Sequence, residues 1–273
     1  MRNEELQNKA RQLRQTIFKV ICEGQGGHIA GCMSVVEILT VLYHRILRVD
    51  PTKPEDPDRD RFILSKGHAS VAWYAILAQK GFIDEEELAT YGQGGTRLGG
   101  HPDKLKLPGV EASTGALGHG LAFGMGMAVA GKMDGKDYHT YVLVGDGECQ
   151  EGSVWEAAMF APQHKLDNLT VIIDYNKLQA LDRLDKIVGL EPLVEKWESF
   201  GWEVHEVNGH DVAELAETLS EIPYVVNKPS LIVAHTIKGK GISFMENVPI
   251  WHYRLPNDEE MKVACEQLQI EFK

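Results

Sequence analysis

Apolar residues recur at three- and four-residue steps between residues 4 and 22 (Leu6, Ala10, Leu13, Ile17, Val20 and Ile21). That spacing predicts an amphipathic helix, and the GQGG stretch at 24–27 ends it. A second helix is expected from about Ser34, with Val35, Ile38, Leu39 and Leu42 on one face. A Pro- and Asp-rich stretch (Asp50 to Asp60) then feeds a short strand, RFILS, at 61–65. The segment KGHASVAWYAILAQKG reads as a turn opening a helix that Gly81 ends. Residues 84–91 predict a short acidic helix. From Gly92 to Gly120 periodicity is lost and glycine is dense, in GQGGTRLGGHPDK and STGALGHG. A loop this long is usually functional or disordered, and its turn chemistry and small apolar residues favour function. Residues 121–132, LAFGMGMAVAGK, predict an apolar helix suited to close packing.

The second half alternates. HTYVLVG (139–145), NLTVIID (168–174), WEVHEV (202–207) and SLIVAHT (230–236) read as strands. Helices are expected at 152–165, near 192–200, and over HDVAELAETLSEI, with His210 or Asp211 near its N-cap. This alternation predicts βα units and an α/β fold: a mostly parallel sheet with helices on both faces. No internal repeat or low-complexity linker divides the chain. Residues 1–273 are therefore expected to form one domain, with an irregular tail after Gly241.

Composition narrows the function classes. Lys+Arg number 28 against Asp+Glu 40, a net charge of -12, which argues against nucleic acid as the main partner. No apolar run approaches the ~20 residues of a membrane span, and MRNEELQNKARQLRQ carries no signal-peptide segment. The expected setting is cytoplasmic. Cys22, Cys32, Cys149 and Cys265 lack CxxC spacing and read as free, partly buried thiols. Glycine (27 residues, roughly 10% against an average of about 7%) and histidine (11) are abundant. Both lean towards loops that approach a ligand closely and towards proton-handling sites.

In open α/β sheets ligands bind outside the carboxyl ends of the strands. HTYVLV leaves into Gly145-Asp146-Gly147-Glu148, and TVIID leaves into Tyr175-Asn176-Lys177-Leu178. The 28 residues between Gly147 and Asn176 suffice for one crossover helix, so the two turns should be neighbours. Asp146 and Asn176 then offer a carboxylate and an amide oxygen, hard ligands for Mg²⁺ or Ca²⁺. The glycines let a phosphate approach, and the helix from Gly152 points its N-terminus there. A GDG alone is also an ordinary turn. The full pattern, GDG-x28-N, resembles the thiamine diphosphate (ThDP) motif. That resemblance implies Asp146, Asn176 and the carbonyl of Leu178 as metal ligands.

Other motifs occur in one order: GGH (26–28), SKGHAS (65–70), GGHPD (99–103), TGALGHG (114–120), and HTIKGKG (235–241) followed by Trp251-His252. That order resembles the N-terminal, diphosphate-binding half of transketolase, from about residue 10 to about 255. The resemblance implies that His68 and His252 contact the diphosphate or thiazolium. It implies that His28 and His101 line the substrate channel and bind ketose hydroxyls, and it places His28, His101 and His252 among the catalytic residues. Gly115 and Leu117 would touch the aminopyrimidine, and Gly145, Gly147 and Glu148 would complete the cofactor grip. Glu151 and Glu156 would lie at the contact linking two active sites. Lys238 and Lys240 either neutralise phosphate or solvate a loop, and Arg97 is a candidate substrate-phosphate contact. His44, His139, His164, His205 and His235 read as packing or surface residues. The chain departs from the family at Ile29-Ala30, where Pro and Gly are common, and at His119, where Gln is common.

In the resembled family an activating Glu sits on a second, pyrimidine-binding domain, and this sequence stops at Lys273. The resemblance therefore implies a split enzyme using sugar phosphates, with that domain on a partner C-terminal subunit in an α2β2 assembly. Three rival readings stand: a subunit for a branched or sulfonated ketose, the E1 α subunit of a 2-oxoacid dehydrogenase, and a non-catalytic scaffold. A Rossmann dinucleotide protein is disfavoured, because no GxGxxG opens the first strand–helix unit.

Overall fold

A computed structural model describes residues 1–271. In chain order the helices are α1 (Asn3–Glu23), α2 (Ile29–Met33), α3 (Val36–Val41), α4 (Ser70–Lys80), α5 (His119–Met133), α6 (Gly152–Gln163), α7 (Leu184–Ile187), α8 (Leu193–Phe200), α9 (Val212–Ser220) and α10 (Asp258–Leu268). The strands are β1 (Arg61–Leu64), β2 (Thr140–Gly145), β3 (Leu169–Tyr175), β4 (Glu203–Asn208) and β5 (Ser230–His235). They form one all-parallel sheet in the order β1-β2-β3-β5-β4.

Every residue of β3 is buried, as a strand covered on both faces requires. Successive side chains alternate between two cores. Tyr141, Leu143 and Ile172 pack with α1, α3, α4 and α9. Val142, Val144, Val171 and Ile173 pack with α5, α6 and α8. Helices thus lie on both faces, as the alternation predicts. Gly81 (φ 92°) and Gly201 (φ 105°) end α4 and α8 in the left-handed region, where a Cβ is strained. Asp211, not His210, caps α9, accepting from the Ala213 and Glu214 amides.

Two expectations are corrected. The helix expected from Ser34 starts at Ile29 and is interrupted before Val36, where the Ser34 hydroxyl reaches Asp174 Oδ2 (2.7 Å). Every residue of α2 and α3 is buried, so no polar stripe marks their limits. The short acidic helix expected at 84–91 is present as a 3₁₀ helix over Glu85–Thr90. The tail after Gly241 is not irregular throughout: it holds a 3₁₀ turn (Pro249–Tyr253) and α10. A capping box nucleates α10. Asn257 accepts from the Glu259 and Glu260 amides while Glu260 accepts from Asn257. Ala264 and Leu268 dock it on the core. Among the described residues no helix is long and apolar enough to cross a membrane.

Because all strands run parallel, every carboxyl end reaches one edge. Ser65–His68 leave β1, Asp146 leaves β2, Asn176 leaves β3, and Thr236–Lys238 leave β5.

Candidate active site

A cavity of about 280 Å³ opens at that edge. Its wall includes His28, His68, Gly115, Leu117, Gly145, Asp146, Gly147, Glu148, Asn176, Leu178 and His252, so eleven residues singled out from sequence converge. His101 stands beside them, its ring centroid 6.4 Å from that of His28. Glu151 and Glu156 do not line the cavity. They sit exposed at the start of α6.

The β2 and β3 exits are joined directly. Asp146 accepts from the Gly147 amide (2.7 Å) and from the Lys177 amide across the sheet edge. Asn176 donates from Nδ2 to Asp174 Oδ2 (3.1 Å), which fixes its amide and leaves Oδ1 to accept from Leu178 N (3.0 Å). The Leu178 carbonyl accepts from the Lys238 ammonium at 3.1 Å. Burial first, then the nearby Asp174 charge, pushes the Asp146 carboxyl up to about 7. Among the described residues no cation lies within ion-pair distance of Asp146, because Lys66 goes to Asp174 instead. Also among the described residues, no three His, Cys, Asp or Glu side chains group to hold a metal. The donor set here is a carboxylate, an amide oxygen and a carbonyl, which suits a hard divalent cation. A buried carboxylate without a cation fits that role.

Two lysines, Lys66 and Lys238, line the cavity. Lys66 donates to Asp174 Oδ2 (2.5 Å) and to the Gly31 carbonyl (3.1 Å). Burial alone would raise the Asp174 carboxyl. Lys66, Thr236 and Ser34 outweigh it and hold the group below the usual range. Burial and then Lys66 bring the Lys238 ammonium down to about 8. Lys238 therefore belongs to the cavity, whereas Lys240 pairs with Glu246. Glu148 is tied to the Ser65 hydroxyl (2.5 Å) and to the Gly118 (2.8 Å) and Gly145 (3.0 Å) amides. It draws three loops together beneath the cavity. The glycines serve the same packing: a Cβ on Gly67 would meet Thr114 at 2.7 Å.

The histidines cluster. The His28 ring lies 5.1 Å from His68 and 4.9 Å from both His252 and Tyr253, centroid to centroid. Burial first, then neighbouring cationic groups, lowers His28 to about 4, His252 to about 3, and His68 well below its ordinary value. All three are neutral near pH 7, available to accept a proton or a hydroxyl hydrogen bond. His252 Nδ1 and Gln179 Nε2 are buried without a partner. Gln179 packs on Gly147, where a Cβ would lie 2.9 Å from its Cγ. Both residues line the cavity.

Lys66, Asp174 and Gln179 were not singled out from sequence. The available signal was a charge or amide beside each strand end. Arg97 is placed elsewhere: it pairs with Glu87 (2.6 Å) and bonds the Lys106 carbonyl, and it does not line the cavity. Packing explains His44 (on Gln79) and His139 (on Thr170), and surface contacts explain His164, His205 and His235. His119 is exposed, its Nδ1 3.2 Å from the Leu117 carbonyl, and Ile29 is buried at the start of α2.

Residues 5–271 match the family described as transketolase, thiamine diphosphate binding domain. An apulose-4-phosphate transketolase subunit from Phocaeicola vulgatus is 45% identical over 98% of this chain and 95% of its own. A 6-deoxy-6-sulfo-D-fructose transketolase subunit from a Clostridium species is 40% identical, over 98% and 97%. Among solved structures, transketolase from Campylobacter jejuni superposes with a TM-score of 0.91 at 33% identity, over 99% of this chain. The chain spans 44% of that longer protein.

Proposed function

The chain belongs to the transketolase thiamine diphosphate-binding domain family, and on that premise we propose the diphosphate-binding subunit of a split transketolase. It would transfer a two-carbon ketol unit from a ketose phosphate to an aldose phosphate. When bound, thiamine diphosphate supplies the electron sink for that two-carbon fragment. Asp146, Asn176 and the Leu178 carbonyl hold a divalent ion, Mg²⁺ or Ca²⁺. Lys66, Lys238 and His68 face the diphosphate, with Gly147 and Gln179 beside them on the cavity wall. Gly115 and Leu117 shape the place of the aminopyrimidine. His28 and His252, neutral near pH 7, bind ketose hydroxyls with His101 and take or return their protons.

The observation that carries this reading is the cavity itself. A buried Asp146, with no cation at ion-pair distance among the described residues, stands there with Asn176 and the neutral rings of His28, His68 and His252. Near-full-length similarity to chains that are themselves named as transketolase subunits supports a separate partner. That partner would carry the pyrimidine domain and activating Glu in an α2β2 assembly. Glu151 and Glu156, exposed at the start of α6, would lie at the contact that links two active sites. Four free cysteines support a reducing, cytoplasmic setting. The family assignment favours ketol transfer over the oxoacid dehydrogenase and scaffold alternatives.

A coupled ketol-transfer assay tests the proposal. The chain alone should be inactive and should gain activity with a purified pyrimidine-domain subunit. Full activity alone contradicts the split. A second reading concerns the donor. Relatives named for apulose 4-phosphate and sulfofructose, with the departures at Ile29 and His119, support an unusual ketose. Comparing kcat/KM for those sugars against xylulose 5-phosphate and fructose 6-phosphate decides it.

A further inference from the structure

The loop that carries Lys238 into the cavity is gripped from behind by a buried charged group. Ile237 N–H donates to His210 Nε2 at 2.8 Å. That ring nitrogen is therefore unprotonated, so Nδ1 carries the hydrogen and donates to Glu37 Oε2 at 2.9 Å. Glu37 also receives Arg14 through both oxygens (2.7 and 3.0 Å), and Arg14 Nε donates to the Lys240 carbonyl at 3.0 Å. Arg14, Glu37 and His210 are each about nine-tenths buried. Burying them is costly unless they are fully paired. Glu37 interrupts an otherwise apolar face of α3, and among the described residues its side-chain partners are Arg14 and His210. On its front face the same loop sends Thr236 to Asp174 and Lys238 to the Leu178 and Gln179 carbonyls (3.1 Å each). His210 itself does not line the cavity.

We propose that His210, locked by Glu37 in its Nδ1–H form, is a positioning residue that sets Lys238 for the cofactor's diphosphate. This rests on the reading of the cavity as the thiamine diphosphate site. The Ile237 amide is one residue from Lys238, and both lie in the loop that leaves β5. Supporting contacts of this kind change affinity on the order of tenfold to a hundredfold.

The test uses the full chain and four variants: His210→Leu, His210→Gln, Lys238→Met, and His210→Leu with Lys238→Met. Nitrogen NMR of the wild type should show His210 protonated at Nδ1 only, and amide exchange at Ile237 should speed up in His210→Leu. Calorimetry with thiamine diphosphate and Mg²⁺ should show His210→Leu weakening binding at least about tenfold. The same change should add no more than about twofold in the Lys238→Met background. His210→Gln keeps an acceptor for Ile237 and should bind within about threefold of wild type, which keeps the test open if the leucine variant misfolds. Equal losses with and without Lys238, or an Nε2–H tautomer, overturn the proposal. If the wild type together with its partner subunit binds no thiamine diphosphate, the functional reading falls. The tautomer and exchange measurements, made without cofactor, then still decide whether His210 holds the loop.

Discussion

Asp60 and Asp146 stand at opposite ends of one sheet, and each is 3% exposed. Asp60, just before β1, accepts from the Arg48 guanidinium (2.9 Å), the Arg48 amide (2.8 Å) and the His139 amide (2.8 Å). Asp146, just after β2, accepts from two backbone amides and is pushed up to about 7. The hydroxyls of Thr140 and Ser230, near the amino edge, also lack partners. An unpaired hydrogen bond therefore does not distinguish the two edges. Uncompensated charge does. Of these two carboxylates, Asp60 has its cation built into the chain, while Asp146 is the one the proposal gives an outside cation.

The largest expected effect breaks this comparison at its functional end. Asp146→Ala should weaken metal-dependent thiamine diphosphate binding by about a hundredfold or more, the upper range for lost metal-site contacts. Its melting temperature should stay near that of the wild type. Calorimetry and thermal unfolding on the same sample read both. Asp60→Ala should do the reverse: it should cost about 2–3 kcal/mol of stability, as lost charged hydrogen bonds do, and leave the affinity of the folded protein unchanged. A binding loss in Asp60→Ala would blur the division.

Acid offers a smaller test. The folded pKa values of His28 and His252 lie below that of a free imidazole. Their contribution is present above pH ~6.5 and is lost as pH falls, because the unfolded chain takes up protons that the folded site refuses. Both rings are partly exposed, so solvent screening trims the effect. Urea unfolding from pH 7 to 4 should show the loss, and His28→Asn should flatten it. A slope unchanged in that variant would remove His28 from the explanation. The smallest effect belongs to a purely structural group: Asp211→Ala should cost about 1 kcal/mol by uncapping α9, with no change in cofactor affinity.

Legibility from sequence followed the same physics. Strands β2, β3 and β5 were readable because parallel strands covered on both faces are continuous apolar runs. Asp146 and Asn176 were readable because they follow those runs directly. The limits of α2 and α3 were hidden, since a segment buried on every side has no periodic contrast. Helix α10 was missed behind its charged first turn, although Asn257 and Glu260 display the capping box. Asp174 ends a strand that otherwise reads as core, so its grip on Lys66 and Asn176 appears only in three dimensions. Glu37 and His210 lie 173 residues apart, and no local pattern pairs them. Arg97 was a plausible phosphate contact by type alone, and Glu87 claims it.

The central claim is that Asp146 and Asn176 hold a divalent ion through which this chain grips thiamine diphosphate. The most direct measurement is a calorimetric titration of thiamine diphosphate into the chain with its partner subunit, once with Mg²⁺ and once with a chelator. The account predicts saturable binding that vanishes with the chelator and strengthens when Mg²⁺ is restored. Binding of equal strength in both conditions would contradict it.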